Sequence, residues 1–387
     1  VTVTMDMTGP VNSMTDEYRQ AMRETVEKLE SEEGLTGAVI TSAKKTFFAG
    51  GNLNDLLAFE KGNEAELMAR VKGGKDDFRR LEKLPVPVVA AINGAALGGG
   101  YEICLACNYR IAADHKAVQV GLPEVTLGLL PGAGGVVRMV NLLGIEAALP
   151  FLLEGKRVSP GPAKKAHMID ATVDTLEDLV PAAKAYILDN KDDADAATQP
   201  WDRKGFRIPG GKINSPRNAQ LAVMAPPMLR QKTRGLLPAP ERILDVAYQA
   251  ALIDFDTALE VETRDFAYLV GTPQAKNMIT TFFFQLNKVN GGASRPEGIE
   301  PKPVKKVGIL GAGMMGQGIA YVSAMAGIEV VLKDVSLEAA QKGKAYSEKL
   351  LDKRIARGRA DEAKKEAVLA LIKPTDDDAE LEGCDLI

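Results

Sequence analysis

The chain has 387 residues, 45% of them hydrophobic and 26% charged, with 48 Lys+Arg against 52 Asp+Glu for a formal net charge of -4. That length suggests two or three globular domains, and the balance leaves no overall basic surface for nucleic acid. Three cysteines (Cys104, Cys107, Cys384) are too few for a disulfide framework and fit a reducing, cytoplasmic setting, while no apolar run reaches the roughly 18 residues of a membrane span.

In chain order, Val1 to Asp6 alternate like a strand and lack an initiator Met, a basic n-region and a signal-like apolar core, so a native N-terminus is expected upstream. Thr8 to Asn12 reads as a loop, and Ser13 or Thr15 as the cap of a helix running to about Glu32. Leu35 to Ser42 is a short apolar strand, and Val86 to Asn93, bounded by prolines and Gly94, is a second buried one. Alternating strand and helix signals predict an α/β layer structure. From Leu176 the periodicity turns helical, interrupted from Asn190 to about Pro216 by a Pro/Gly-rich polar loop, of a length that is often functional or mobile. Glu241 to about Asn287 reads as two or three helices. Asn290 to Pro303 is the best linker, because its glycines and prolines deny it a regular element. Beyond it come a strand, Lys306 to Leu310, a glycine-rich turn, a helix from Gln317 to Ala326 and a strand from Glu329 to Lys333.

Two glycine turns point to chemistry in the first part. Gly98-Gly99-Gly100 precedes an apolar helix, which permits close backbone approach and leaves free N–H groups at a positive helix end, a ready site for a developing oxyanion. Thr46-Phe-Phe-Ala-Gly-Gly-Asn52 supplies another such turn. Glu102 follows the first turn, and Glu124 follows Pro123. Each glutamate also has a plain reading: an acid is favoured near a helix start, and one after a proline can simply be solvated.

At these residues the chain resembles the crotonase, or enoyl-CoA hydratase, superfamily. The AGG turn, the AxxGxALGGGxE segment and the GLPEVxLGLLPGAGG segment occur in the expected order within about the first 180 residues. The resemblance implies a crotonase fold over 1–180. By the same resemblance, the backbone amides of Gly51 and Gly99 bind the thioester oxygen, and Glu102 and Glu124 manage the water and the substrate proton. Adding water across a 2-enoyl-CoA thioester needs such parts: a positioned water, a base, an acid and stabilisation of negative charge on oxygen. The expected assignment gives Glu124 the activation of water and Glu102 its positioning and proton transfer, with the division between them open. Enoyl-CoA isomerisation and a non-catalytic acyl-CoA-binding scaffold for a thiolase are the alternatives. Many relatives have Ala-Asp where this chain has Gly51-Asn52; a backbone donor survives that change, in a turn expected to be looser.

Cys104 and Cys107 form a CxxC with no second pair and no suitably spaced His, so packing inside a helix is the better account. His115 and His167, the only histidines, have no nucleophile or ligand spacing around them, and no metal is expected.

The second glycine motif, Gly311-Ala-Gly313-Met-Met315-Gly316, sits between a strand and a helix, and Asp334 ends the next strand near the spacing expected of an acid that binds the adenosine ribose. The GILGAGMMGQGIAYVSAMAG and VVLKDVS runs resemble the start of 3-hydroxyacyl-CoA dehydrogenase. That implies a Rossmann NAD-binding domain beginning at 304, after a helical extension over 181–287 and a linker over 288–303. It also implies NAD contacts from Gly311, Gly313, Met315, Gly316 and Asp334, with the dehydrogenase His and Glu downstream of Ile387. The order of parts resembles the multifunctional enzymes of fatty-acid oxidation, α subunits that associate with a thiolase. PAPERIL, QAKNMITTFFF and GGASRPEGI are similar to actinobacterial members.

Overall fold

Runs of Val, Ile and Ala between turns become parallel strands in the computed structural model. The structure describes residues 1–387, which divide into two units, Val1–Ser294 and Arg295–Ile387. Strands β1 (Thr2–Met5), β2 (Ala38–Ser42), β3 (Val88–Ile92), β4 (Ala96–Leu97), β5 (Tyr109–Ala113), β6 (Val120–Gly121) and β7 (Ala171–Val173) belong to the first unit. Five form a parallel sheet in the order β1-β2-β3-β5-β7, and β4 pairs with β6. The strand expected over Val86–Asn93 shortens to β3, since Pro85 and Pro87 bring no N–H to the ladder.

Helices cover both faces. In order they are α1 (Asp16–Ser31), α2 (Leu53–Ala58), α3 (Glu64–Glu82), α4 (Gly99–Ala106), α5 (Gly135–Leu143), α6 (Ile145–Glu154) and α7 (Pro160–Lys165). There follow α8 (Leu179–Asp189), α9 (Ala219–Thr233), α10 (Pro238–Ala250), α11 (Phe255–Val270), α12 (Pro273–Met278), a π-helical turn (Ile279–Gln285) and α13 (Leu286–Asn290). Thr15 caps α1 by accepting from the Tyr18 N–H, one of the two caps expected. Successive strand residues point to opposite faces. Ala38, Ile40, Val88, Ala90 and Ile92 enter the main core with Phe78 and Leu81 of α3 and Ile103 of α4. Val39, Val89 and Ala91 face the other way, against Leu179, Ala183 and Ile187 of α8. Burial on both faces explains why these strands read as unbroken apolar runs rather than alternating ones.

The stretch from Asn190 to Pro216 has only one 3-10 turn, Pro200–Asp202, but it is not a free loop. The Trp201 ring stacks on Phe255 with centroids 4.8 Å apart, Gln199 Nε2 donates to the Ala106 carbonyl at 3.0 Å, and Asp202 receives two hydrogen bonds from Arg79 at 2.9 and 2.7 Å. Helix α9 falls in the helical region expected after Pro216, although Pro226 and Pro227 lie inside it and proline is a poor helix-interior residue.

In the second unit, β8 (Lys306–Leu310), α14 (Met314–Met325), β9 (Glu329–Lys333), α15 (Leu337–Ile355), α16 (Glu362–Ala370) and β10 (Ile372–Thr375) follow in order. The three strands are parallel, in the order β10-β9-β8. Helix α14 starts at Met314, directly on the glycine turn and ahead of the expected Gln317. Residues 291–305 carry no helix or strand. No helix is long and apolar enough to cross a membrane.

Candidate active site

Two glycine turns meet at the start of α4. Gly98 has φ +56, in the left-handed region that favours glycine, and a Cβ there would stand 2.5 Å from Glu124 Oε1. Gly50, with φ +93, lies against it: a Cβ on Gly50 would be 3.1 Å from the Leu97 carbonyl oxygen and 3.7 Å from the Gly99 nitrogen. The N–H groups of Gly51 and Gly99 have no acceptor within the protein. They stand free because Gly99 is the first residue of its helix and Gly51 is in the adjoining turn. Asn52 is itself tied down at the end of this turn. Its Oδ1 accepts from the Asn54 N–H at 3.1 Å, capping α2, and its Nδ2 donates to Asp55 Oδ1 at 2.9 Å.

Glu102, in the first turn of α4, is 2% exposed. Its Oε1 accepts from the N–H groups of Ala133 and Gly135, both at 2.7 Å, while Oε2 has no donor from the protein. Burial, reinforced by the charge of Glu262, pushes its carboxyl up to about 7, against the opposing pull of those two N–H groups and Lys75. Glu124 stands on a 3-10 turn, Pro123–Leu127. The residue is half-buried, yet its Oε2 is enclosed and has no hydrogen-bond partner. Burial first, and Glu102 second, push the Glu124 carboxyl well above the usual range. Gly51, Gly99, Glu102 and Glu124 all line one cavity of about 450 Å³. Its walls include Met14, Tyr18, Leu67 and Val71, and its cations are Arg19, Arg70 and Arg157.

The sequence reading missed the residues behind this pair. Glu262 of α11 is fully buried and takes the N–H groups of Gly134, Val136 and Val137 at 2.6, 3.0 and 3.2 Å. Lys75 of α3 pairs with it at 2.9 Å. Arg138, also fully buried, donates to the Ala133 carbonyl at 2.9 Å and to Glu82 Oε1 at 2.7 Å, and Arg79 binds the other Glu82 oxygen at 2.5 Å. Lys75, Arg79 and Glu82 recur at helical spacing on one face of α3, a signal that was present in a segment given no element.

Cys104 donates to the Gly100 carbonyl inside α4, and Cys107, at its C-cap, to the Ile103 carbonyl. Burial pushes the Cys107 thiol up to about 12 and the Cys104 thiol well above its usual range, the opposite of what a reactive thiol needs. His115 and His167 are both exposed.

In the second unit, Gly311 has φ +95 with open space where a Cβ would stand, and a Cβ on Gly316 would overlap the Gly311 carbonyl oxygen. Helix α14 begins after Gly313 with no side-chain cap, leaving its N-terminal N–H groups for an anion. Met314 and Met315 are exposed beside it. Asp334 follows β9, and its oxygens accept from Ala312 at 2.5 Å and Val335 at 2.7 Å, which holds the carboxyl below its usual range. A glycine-rich turn, a free helix N-terminus and an acid at the end of the neighbouring strand fit a dinucleotide.

Residues 1–194 match the family described as enoyl-CoA hydratase/isomerase, and residues 306–387 match the NAD-binding domain of 3-hydroxyacyl-CoA dehydrogenase. Among solved structures, an enoyl-CoA hydratase from Bacillus halodurans is similar with a TM-score of 0.51 at 20% identity, over 72% of this chain and 95% of its own. An enoyl-CoA hydratase/isomerase from Xanthobacter autotrophicus Py2 has the same TM-score at 18% identity, over 77% of this chain and 95% of its own. These two likenesses concern the fold, which is the crotonase type.

Proposed function

Because the chain belongs to the enoyl-CoA hydratase/isomerase family, we propose that Glu102 and Glu124 are the acid–base pair that adds water across trans-2-enoyl-CoA, with the N–H groups of Gly51 and Gly99 as the oxyanion site. The family assignments place the chain in fatty-acid β-oxidation, a hydratase followed by the NAD-binding domain of the dehydrogenase that acts on its product. What carries the site assignment is that one cavity holds two differently supported carboxyls beside two unused backbone donors.

The difference between the carboxyls divides the work. Glu102 has two N–H donors on Oε1, which favour its ionised form, and a free Oε2 with which to hold and deprotonate water. Glu124 has a desolvated oxygen with no donor and therefore carries the proton. As the water oxygen bonds to C3 and its proton passes to Glu102, the C2–C3 π electrons move toward the thioester oxygen, held by the Gly51 and Gly99 N–H groups. Glu124 then gives its proton to C2. The pair ends with one proton, now on Glu102, and its return to Glu124 resets the site. This exchanges the roles expected from the sequence, where Glu124 took the water. Each oxyanion donor is worth on the order of 3 kcal/mol in such reactions. Isomerisation needs only one shuttling carboxyl, so a second one with its own backbone donors favours hydration.

In the second unit, NAD supplies hydride acceptance when bound. We assign its pyrophosphate to the turn of Gly311, Gly313 and Gly316 with Met315 alongside, and its adenosine ribose to Asp334. The domain order supports a thiolase partner, and three free cysteines support a cytoplasmic setting. The hydratase assignment is tested by following crotonyl-CoA: conversion to 3-hydroxybutyryl-CoA is expected, and a folded protein that fails to turn it over refutes the reading.

A further inference from the structure

Lys75 and Glu262 do not line the cavity, and nothing in the hydration step uses them. Both are almost wholly enclosed, at 3% and 0% side-chain exposure. Glu262 Oε1 accepts from Gly134 and meets Lys75 Nζ, and Oε2 accepts from Val136 and Val137, so every partner is a donor and the group is a carboxylate. Lys75 Nζ also donates to the Leu259 carbonyl at 2.9 Å. An apolar pair of similar volume often stabilises a core as well as a buried ion pair, so stability alone does not account for these charges.

Their placement does. The turn that Glu262 holds is the one whose other N–H groups, those of Ala133 and Gly135, hold Glu102. The same turn is fixed from its carbonyl side by Arg138, which is neutralised by Glu82. The titratable and charged groups near Glu102 include Glu262 from α11, Lys75 from α3, Arg138 from α5, Glu124 from the 3-10 turn and the enclosed hydroxyl of Tyr18 from α1, and Asp77, Arg19, Arg70 and Arg157 line the same cavity.

We propose that the Lys75–Glu262 ion pair is a positioning device for Glu102: Glu262 holds the Gly134, Val136 and Val137 N–H groups of the 133–137 turn so that Glu102 receives the other two, and Lys75 offsets the charge this brings beside it. The inference rests on the hydratase reading.

The two partners act on Glu102 with opposite sign, which a merely structural role would not produce. Glu262→Gln removes a negative neighbour and leaves Lys75 uncompensated, so the acid limb of the kcat/KM profile for crotonyl-CoA moves down by about one pH unit. Lys75→Met leaves Glu262 uncompensated, and the limb moves up by about as much. The double variant Lys75→Met/Glu262→Gln removes both charges and brings the limb back toward its original place. Since neither side chain touches the cavity, the losses fall on kcat rather than KM. Limbs that stay in place while activity and thermal stability fall, or that move in the same direction, overturn the proposal. If one single variant fails to fold, the other and the double variant decide; if none of the three folds, the pair belongs to folding and the proposal is wrong. Failure of the unaltered protein to hydrate crotonyl-CoA would instead refute the hydratase reading.

Discussion

Glu102 and Glu262 divide five successive backbone N–H groups, with Ala133 and Gly135 going to the first and Gly134, Val136 and Val137 to the second. The groups are available because α5 begins within this turn, where N–H groups have no intrahelical acceptor. A helix start that is usually capped by one local side chain is capped here by two distant ones, and one of these is a proposed catalytic residue.

Glu102→Gln and Glu124→Gln keep size and remove ionisation. Each is expected to lower kcat for crotonyl-CoA by about 100-fold or more. A correctly folded variant with full activity would take that residue out of the mechanism.

The same residue governs a pH effect on stability. The Glu102 carboxyl stands at about 7 in the folded chain against an ordinary 4.5, so the fold favours its protonated form. That contribution is complete below about 4.5 and is lost as pH rises through about 7. Glu102→Gln retains an acceptor for the two N–H groups without a charge to bury. It is expected to unfold less readily than the native chain at pH 8, by on the order of 3 kcal/mol, with little gain at pH 4.5. Trp201, the only tryptophan, reports unfolding of the first unit in denaturant titrations. A gain that is equal at both pH values contradicts the expectation.

At the proposed oxyanion turns, a Cβ on Gly99 would lie 2.6 Å from the Met14 Cε, and the further bulk of Gly99→Val is expected to crowd the thioester. Gly98→Ala strains φ +56 by roughly 1–2 kcal/mol and presses on the Glu124 carboxyl. Both are expected to lose most activity. Asn52→Ala removes a helix cap, worth about 1 kcal/mol, and the hydrogen bond to Asp55, and should be milder. Equal losses in steady-state assays would give Asn52 a role beyond capping.

Asp334 is expected to discriminate between dinucleotides, since its carboxylate would face the added phosphate of NADP. Calorimetric titration should show a preference for NAD, and Asp334→Asn should reduce that preference by about tenfold or more. Equal affinities in the unaltered protein would dismiss the assignment.

Local signals made much of this legible. Glycines before an apolar run announced the start of α4, Thr15 announced α1, and Glu329 to Lys333 was bounded correctly as β9. The supporting carboxylate was not legible in the same way. Nothing around Glu262 marks it off from other acids on amphipathic helices, because its meaning comes from packing against a turn far away in sequence. The division of labour proposed for Glu102 and Glu124 was hidden for a related reason. It depends on which oxygen finds a donor, and the donors on Ala133 and Gly135 come from a loop that folds back over α4.

The distribution of N–H groups over the 133–137 turn also bears on how this catalyst could be cut, grafted or recombined. The family match closes at residue 194, but α11 delivers Glu262 much later. A fragment ending at 180 or 194 would strip three backbone donors and a buried ammonium of their acceptor, and Arg79 would lose Asp202 and Asp256 as well. A transplantable hydratase therefore includes α11, and Phe282 and Phe283, which line the cavity of Glu102 and Glu124, carry it on through the π-helical turn. Any chimera joining this N-terminal core to a foreign helical region must bring in a glutamate at the place of Glu262, or replace the turn and Lys75 along with it.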